Sequence, residues 1–300
     1  MINQEGNETR TGWLEQTFEE RRPRLRAVAF RMLGSSADAD DAVQDAWLRI
    51  SRADTSAVEN MDAWLTSVVA RVCLNQLRSR QQRREEPLVR VPDPIISPES
   101  GLDPEESALL ADGVGLALLV VLESLTPAER LSFVLHDMFG VPFDEIAPML
   151  ERSPEAARKL ASRARRRVQG QAPTPDPDVH RQREVVDAFF TAAREGDFDA
   201  LVSVLHPDVV LRSDGGTARP QLTHVLHGAQ QVASQALIAA RLMPFVHKVL
   251  VNGAAGVIVV PRRQAQVVMA FTIVEGSVAA IDVLSDPERL ARLDLSAVLD

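Results

Sequence analysis

Hydrophobic residues in the first half of the chain recur at the three- and four-residue spacing of amphipathic helices. Residues 1 to about 12 are polar and read as a frayed end. The first helix then runs from Trp13 to Leu33 through Phe18, Leu25, Val28, Ala29 and Met32, and Gly34 ends it. A second, Asp38 to Ile50, sets Ala42, Ala46 and Ile50 inward beside Val43 and Trp47, with an acidic first turn that suits the helix dipole. Asp41, Gln44, Asp45 and Leu48 are left to its outer surface. A third starts near Asp62 and packs Trp64, Leu65, Val68, Val72 and Leu77. Its polar side, Arg71, Asn75, Arg78 and Arg80, becomes basic toward Arg83 and Arg84. Trp13 and Trp47 are assigned to the core.

Residues 85 to 104 break this rhythm. Pro87, Pro92, Pro94, Pro98 and Pro104 exclude helix interiors, so the stretch reads as a partly extended linker. A helix weakened by Gly113 and Gly115 then runs from about Asp103 to Leu122. From Thr126 to Val168 the pattern is helix, turn, helix. Thr126 and Glu129 form a capping box with Pro127 at the first helical position. Gly140 breaks that helix, and a short one follows from Pro142 with Phe143, Ile146, Ala147 and Leu150 inward. Ser153 caps the last, with Pro154 just inside. Ala157, Leu160, Ala161, Ala164 and Val168 form its buried stripe, and Arg158, Lys159, Ser162, Arg163 and Arg166 fall largely on the other side. Such a face can enter a DNA major groove, where Arg and Lys meet phosphates and purine edges. A helical bundle with a solvated basic face has the same pattern, and on this stretch alone both readings stand.

Beyond a second linker, 169–178, the period changes. A helix carrying Val185, Val186, Phe189 and Phe190 and a short one through Leu205 precede a short strand, Asp208 to Arg212. Another helix runs from Gly228 to Leu242. Phe245–Val251, Gly256–Val260, Gln264–Ile273 and Ser277–Val283 read as strands joined by Asn-Gly, Pro-Arg-Arg and Glu-Gly turns. Helices followed by an antiparallel sheet make an α+β domain. A sheet curved around helices leaves a concave apolar pocket. The tail after residue 284 supplies one short helix.

Composition adjusts this picture in three places. A 300-residue chain with 45% apolar residues supports two or three folded domains. The net charge of −9 argues against a generic charge-driven nucleic-acid binder. It suits a DNA reader that needs a partner, because the positive charge is concentrated at Arg78–Arg84 and Arg158–Arg167. The single cysteine, Cys73, excludes a disulfide framework or a Cys-based zinc site within the chain, and reads as a core residue. His206, His224, His227 and His247 show neither HxH nor HExxH spacing, so no metal, cofactor or catalytic set is expected. The polar N-terminus is unlike a signal peptide, and the apolar run near Val114–Leu122 is too short to span a bilayer. The expected location is the cytoplasm, without membrane partners.

The blocks Pro23–Ile50 and Asp62–Arg80 resemble the region 2 signature of bacterial sigma factors of the extracytoplasmic-function (ECF) class, and Thr126–Val168 resembles region 4. The remainder resembles the SnoaL-like (NTF2-like) domain fused to the group called ECF41 and its SigJ-like relatives. Asp214-Gly215-Gly216-Thr217 stands where that group carries Asp-Gly-Gly-Gly. Ser285-Asp286-Pro287-Glu288-Arg289 echoes its Asn-Pro-Asp-Lys element, and Arg90-Val91-Pro92-Asp93-Pro94 its Trp-Leu-Pro-Glu-Pro linker. The resemblance implies a multidomain chain. An all-α region 2 bundle (13–84), a linker (85–104) and a region 4 helix-turn-helix (105–168) are followed by a second linker (169–178), an α+β NTF2-like domain (179–284) and a tail (285–300).

The same resemblance implies a sigma factor, not an enzyme, with core RNA polymerase and promoter DNA as partners. Asp41, Gln44, Asp45 and Leu48 would dock on core polymerase. Asn60, Met61, Trp64, Arg71, Asn75 and Arg78 would meet the −10 element, and Arg158, Lys159, Ser162, Arg163 and Arg166 the −35 element. Asp214, Gly215, Gly216, Asp286 and Pro287 would form an interdomain regulatory surface, open to tuning by a small-molecule ligand in the pocket. Whether chains pair is left open. The alternative is a ligand-sensing helix-turn-helix regulator that does not bind core polymerase, although such a protein has no need of Pro23–Arg84.

Overall fold

The computed structural model describes residues 2–82, 89–101, 115–171, 175–261, 264–293 and 295–299. Arg83, Arg84, Pro87, Pro104, Gly113 and the two arginines of the Pro-Arg-Arg turn lie outside them. The chain forms two compact units, Met1–Glu85 with Leu122–Val168, and Glu86–Val121 with Gln169–Asp300.

The first unit is helical. α1 spans Ile2–Leu33, α2 Ser36–Ile50 and α3 Met61–Gln82. α1 starts at Ile2, not Trp13: once a helix is nucleated, adding polar residues to its end costs little. α1 and α2 run antiparallel, with Arg26 on Asp40 and the Phe18 ring 4.8 Å from Trp47. This pairing carries Trp13 past Ile50, where α2 ends, so Trp13 is 52% exposed and not in the core. Ser35 caps α2 by accepting from the Asp38 amide, and Asn60 caps α3 by accepting from Ala63. Phe18, Leu25, Val28, Ala29, Met32, Ala42, Ala46, Ile50, Leu65 and Val72 are buried. Cys73 is buried among them, and burial pushes its thiol up to about 12, which leaves it inert as a nucleophile.

The chain re-enters this unit at the end of α4 (Leu116–Glu123). α5 (Pro127–Phe133) runs into a π-helical turn (Val134–Met138); α6 (Phe143–Leu150) and α7 (Pro154–Gln171) follow. The Thr126–Glu129 capping box is reciprocal, as the sequence suggests. Gly140 (φ 70°) and Glu151 (φ 56°) supply the left-handed residues that re-aim the chain before α6 and after it. Two buried arginines tie α5 and its π-turn to α1. Arg130 donates to the Met32 carbonyl and to Glu123, both at 2.9 Å, and Arg31 lies 4.8 Å over the Phe139 ring.

The second unit is built on a seven-stranded sheet in the order β1-β4-β5-β6-β7-β2-β3. β1 is Ile96–Ser97; α8 (Val179–Glu195) and α9 (Phe198–Val204) precede β2 (Leu205–Asp214) and β3 (His224–His227). α10 (Ala229–Ala239) leads to β4 (Val246–Val251), β5 (Ala254–Val259), β6 (Val267–Val274) and β7 (Ser277–Leu284). Short helices α11 (Pro287–Leu290) and α12 (Ser296–Leu299) follow, two where the tail suggests one. Asn252-Gly253 and Glu275-Gly276 both take positive φ, the geometry of two-residue hairpin turns. The sheet is mixed, not wholly antiparallel. β2 lies parallel to β7 because the intervening chain crosses the sheet before returning beside it. Two strands escape the sequence pattern. β3 is a four-residue edge strand, and β1 comes from the proline-rich stretch read as a linker.

Phe189, Phe190 and Phe271 pack edge to face, with centroids 5.4 to 5.8 Å apart. With Val257, Ile273 and Ile281 they form an apolar core on one side of the sheet. The second unit is thus a sheet closed by α8, α9 and α10 around an apolar core. Among the described residues, no helix is long and apolar enough to cross a membrane.

The other face carries a buried carboxylate with one ionic partner. Asp282 accepts from Arg212 at 3.1 Å, yet burial raises its carboxyl pKa above the ordinary range, with Arg212 opposing the shift. A raised folded-state value means that the folded chain holds this proton more tightly than the unfolded chain. Stability from this group therefore falls as pH rises from the ordinary carboxylate range through the raised value. We expect Arg212→Ala to leave the carboxylate buried without its partner and to cost about 3 kcal/mol at pH 8. The loss should shrink as pH falls through the raised value, where protonation relieves it. Thermal melts across a pH series check this, and a loss that does not change with pH would show that ionisation of Asp282 does not set it.

Candidate nucleic-acid interface and linker latch

Asp41, Gln44, Asp45 and Leu48 lie along one exposed strip of α2, three and four residues apart. Leu48 is 48% exposed within this polar strip, which packing inside the unit does not explain. On α3, Arg71, Asn75 and Arg78 form an exposed line, while Arg80 is drawn aside to Asp38 at 2.8 Å. Asn60 is exposed at the start of α3, where its side chain caps the helix; Met61 and Trp64 are half-buried beside it. The −10 candidates therefore share one helix and its entry, with Trp64 divided between packing and surface.

α7 sorts its cations by their partners. Ala157, Leu160, Ala161 and Ala164 are buried, and Val168 is half-buried at the end of that stripe. At 3.6 residues per turn, Glu155, Lys159, Ser162 and Arg166 occupy the middle of the opposite face. Arg158 and Arg165 flank it on one side, Arg163 and Arg167 on the other. The flanking groups are held from within. Arg165 pairs with Asp137 of the π-turn. Arg163 lies 3.2 Å from the buried Glu129 of the capping box, and Arg167 reaches the Ser124 carbonyl at 3.2 Å. Arg158 sits 5.4 Å over Phe143, whose ring is stacked on His136 at 3.9 Å. Of the five −35 candidates, Lys159, Ser162 and Arg166 are central, Arg158 is aromatic-supported, and Arg163 is tethered toward α5.

The four histidines singled out in the second unit stay apart in role. His224 and His227 fall on a strand, where a spacing of three puts them on opposite faces. His206 accepts from the Asp208 amide, and His247 is exposed on β4. Among the described residues, no group of three or more His, Cys, Asp or Glu could hold a metal ion.

The glycine turn, the C-terminal helix and the proline-rich stretch meet at one point. Asp214, at the end of β2, is buried, and its carboxylate is fully engaged. One oxygen accepts from the Gly216 amide, the other from the Val91 amide at 3.0 Å and from Arg289 at 2.8 Å. Arg289 also donates to Asp93 and to the Val91 carbonyl. Asp286 caps α11 through the Glu288 and Arg289 amides, with Pro287 at the first helical position, and so aims Arg289. Gly215 and Gly216 allow the close approach. A Cβ on Gly215 would strike the Arg219 carbonyl, and one on Gly216 (φ 59°) would strike the Asp286 carboxylate.

Further along, Ile95 and Asn252 exchange two hydrogen bonds at 2.9 Å, Ile96–Ser97 pairs with β4, and Arg183 donates to the Glu99 carbonyl at 2.6 Å. Val91, Pro92 and residues 94–97 are buried. All five residues singled out as regulatory lie at this latch. Arg289, Asn252 and Arg183 were not singled out. The sequence signal for Arg289 was its position one turn after Asp286-Pro287; for the other two there was none.

Comparison with known proteins agrees with this architecture. Residues 17–84 match the sigma-70 region 2 model, and residues 115–168 match a sigma-70 region 4 model. The chain is 38% identical over 287 residues to the ECF RNA polymerase sigma factor SigJ of Mycobacterium tuberculosis, covering 91% of each. It is 36% identical over 269 residues to the probable ECF sigma factor SigI of the same species, covering 88% of this chain and 90% of that protein. The crystal structure of M. tuberculosis SigJ superposes with a TM-score of 0.75 at 33% identity, over 93% of this chain and 99% of that one. The chain belongs to the extracytoplasmic-function sigma factor family.

Proposed function

We propose that this chain directs transcription initiation as the promoter-specificity subunit of RNA polymerase, and that its NTF2-like domain regulates it in cis. The observation that carries the first part is the pair of exposed polar faces, on α3 and α7, lying within the segments that match sigma-70 regions 2 and 4. Core polymerase is met by the α2 strip, where charge complementarity sets specificity and Leu48 adds apolar area. The −10 element is met by the start of α3 and the Arg71–Asn75–Arg78 line. A melted strand there is held by phosphate contacts along that line, and exposed bases by Asn60, Met61 and the free part of Trp64. The −35 element is read by the outer face of α7.

The regulatory part rests on the latch. In a sigma factor the stretch between the two DNA-reading segments has to span promoter elements. Here it is held as a strand and a salt-bridged turn of the C-terminal unit. The resemblance of the linker and glycine-turn sequences to those of ECF41-type factors supports this reading. The domain acts as a clamp and not as an enzyme. What supports that reading is the phenylalanine-filled core and the satisfied carboxylate of Asp214. A bound state that favours a held linker is weakened by whatever releases it.

We expect run-off transcription with core polymerase to rise several-fold on Arg289→Ala, and likewise for a chain ending at Leu284, which lacks α11. Unchanged initiation in both would remove the latch from regulation. Failure of every version to bind core polymerase would sink the sigma reading and favour a free-standing DNA-binding regulator. Within α7, Arg158→Ala should weaken promoter use by the polymerase complex more than Arg167→Ala, whose side chain is spent on Ser124 and Glu129. Equal effects in promoter binding, with unchanged melting temperature, would contradict that ranking.

A further inference from the structure

The exposed strip of α7 contains one acid, and a promoter-reading face built of cations gives it no task. Glu155 is the second residue of the helix, after the Ser153 cap and Pro154. Its side chain is 72% exposed and points with Lys159, Ser162 and Arg166 away from the buried stripe; Lys159 Nζ lies 2.8 Å from its carboxylate. Two acids beside α7 have structural work. Glu129 holds the capping box and Arg163, and Asp137 holds Arg165. Glu155 holds nothing but its neighbour on the same face.

A carboxylate brought toward a polyphosphate loses affinity unless it meets a donor. In the major groove the exposed donors are the amino groups of cytosine and adenine. A carboxylate, which only accepts, matches cytosine N4; adenine, with a donor beside an acceptor, is matched by an amide. The first residues of a recognition helix are the ones that reach base edges. Lys159 lies four residues on, about 6 Å along the axis at 1.5 Å per residue. That is close to two base-pair steps, and its ammonium suits guanine O6 and N7.

We infer that Glu155 is a specificity determinant that selects a cytosine in the upstream promoter element, accepting from its N4 amino group while Lys159 donates to a guanine one or two steps away. The inference rests on the promoter-reading role of α7 proposed above. In the free protein the Glu155–Lys159 pair neutralises itself; on DNA the two part to adjacent bases.

The test is initiation by the full chain with core polymerase on a promoter library randomised across the upstream element. Wild type should show a cytosine preference at one position. Glu155→Ala should lower that preference about tenfold, a typical worth of one good base contact, and leave the preferences at other positions in place. Glu155→Gln should shift the same position toward adenine. The inference is overturned if Glu155→Ala keeps every positional preference, or weakens all of them alike. It is also overturned if the variant only lowers the melting temperature, the mark of a residue that serves the helix start. A wild-type chain that initiates without any preference in the upstream element would instead show that α7 does not read it. That outcome appears in the wild-type arm alone and takes the role of Glu155 with it.

Discussion

The second unit depends on one guanidinium. Arg289 faces two carboxylates and a carbonyl, contributed by two distant parts of the chain. Asp214 keeps only 2% of its side-chain surface exposed, so its charge is tolerable only while Arg289 and the Val91 and Gly216 amides satisfy it. The dependence runs both ways. Arg289 is aimed by a helix that Asp286 caps, and Asp286 can stand there only because Gly216 has no side chain. A proline-rich segment is a suitable partner for such a network. Pro92, Pro94 and Pro98 restrict the free chain, so less entropy is lost when it is held. The segment also brings its own backbone donors and acceptors, which the β4 edge and Asn252 receive.

The same rule, that acids decide where arginines go, organises the helical unit. Arg130 and Arg31 are spent inside it. On α7, Glu129 and Asp137 draw the flanking arginines back onto α5 and the π-turn, and the strip between them is left to solvent. A capping box therefore does two things at once. It starts α5, and through the unused reach of its carboxylate it positions a cation of the helix two elements later.

What could be read from the sequence follows from the range of the forces involved. Helices α2, α3 and α5 to α7 were legible because capping and apolar spacing are local: Ser153, Thr126–Glu129 and the Ala157–Ala164 stripe announce themselves within a few residues. The hairpin turns at Asn252 and Glu275 were legible for the same reason. The family resemblance located the latch residues of the C-terminal unit but not what they grip. β1 was not legible, since two residues among prolines become a strand only when a distant edge offers partners. Neither was the parallel pairing of β2 with β7, nor the exposure of Trp13, which depends on where a different helix ends. On the candidate DNA faces, composition and apolar spacing located the helices themselves. The division between outward and tethered cations required the tertiary positions of Glu129, Asp137 and Phe143.

This division also resolves the tension between a chain of net charge −9 and the DNA-facing role proposed for it. At physiological ionic strength a charge is felt over about 8 Å. The sum over the whole molecule therefore says little about a groove-facing strip, whereas a carboxylate one turn away says a great deal. Of the acids of α5 and the π-turn, Glu129 lies close to both Arg163 and Arg167, and Asp137 pairs with Arg165. The strip that remains is short, mixed in sign and only moderately positive. A face of that kind binds DNA weakly by itself and gains its affinity when something else holds it in place. Sequence preference, rather than bulk attraction, is then what the exposed side chains of α7 can contribute.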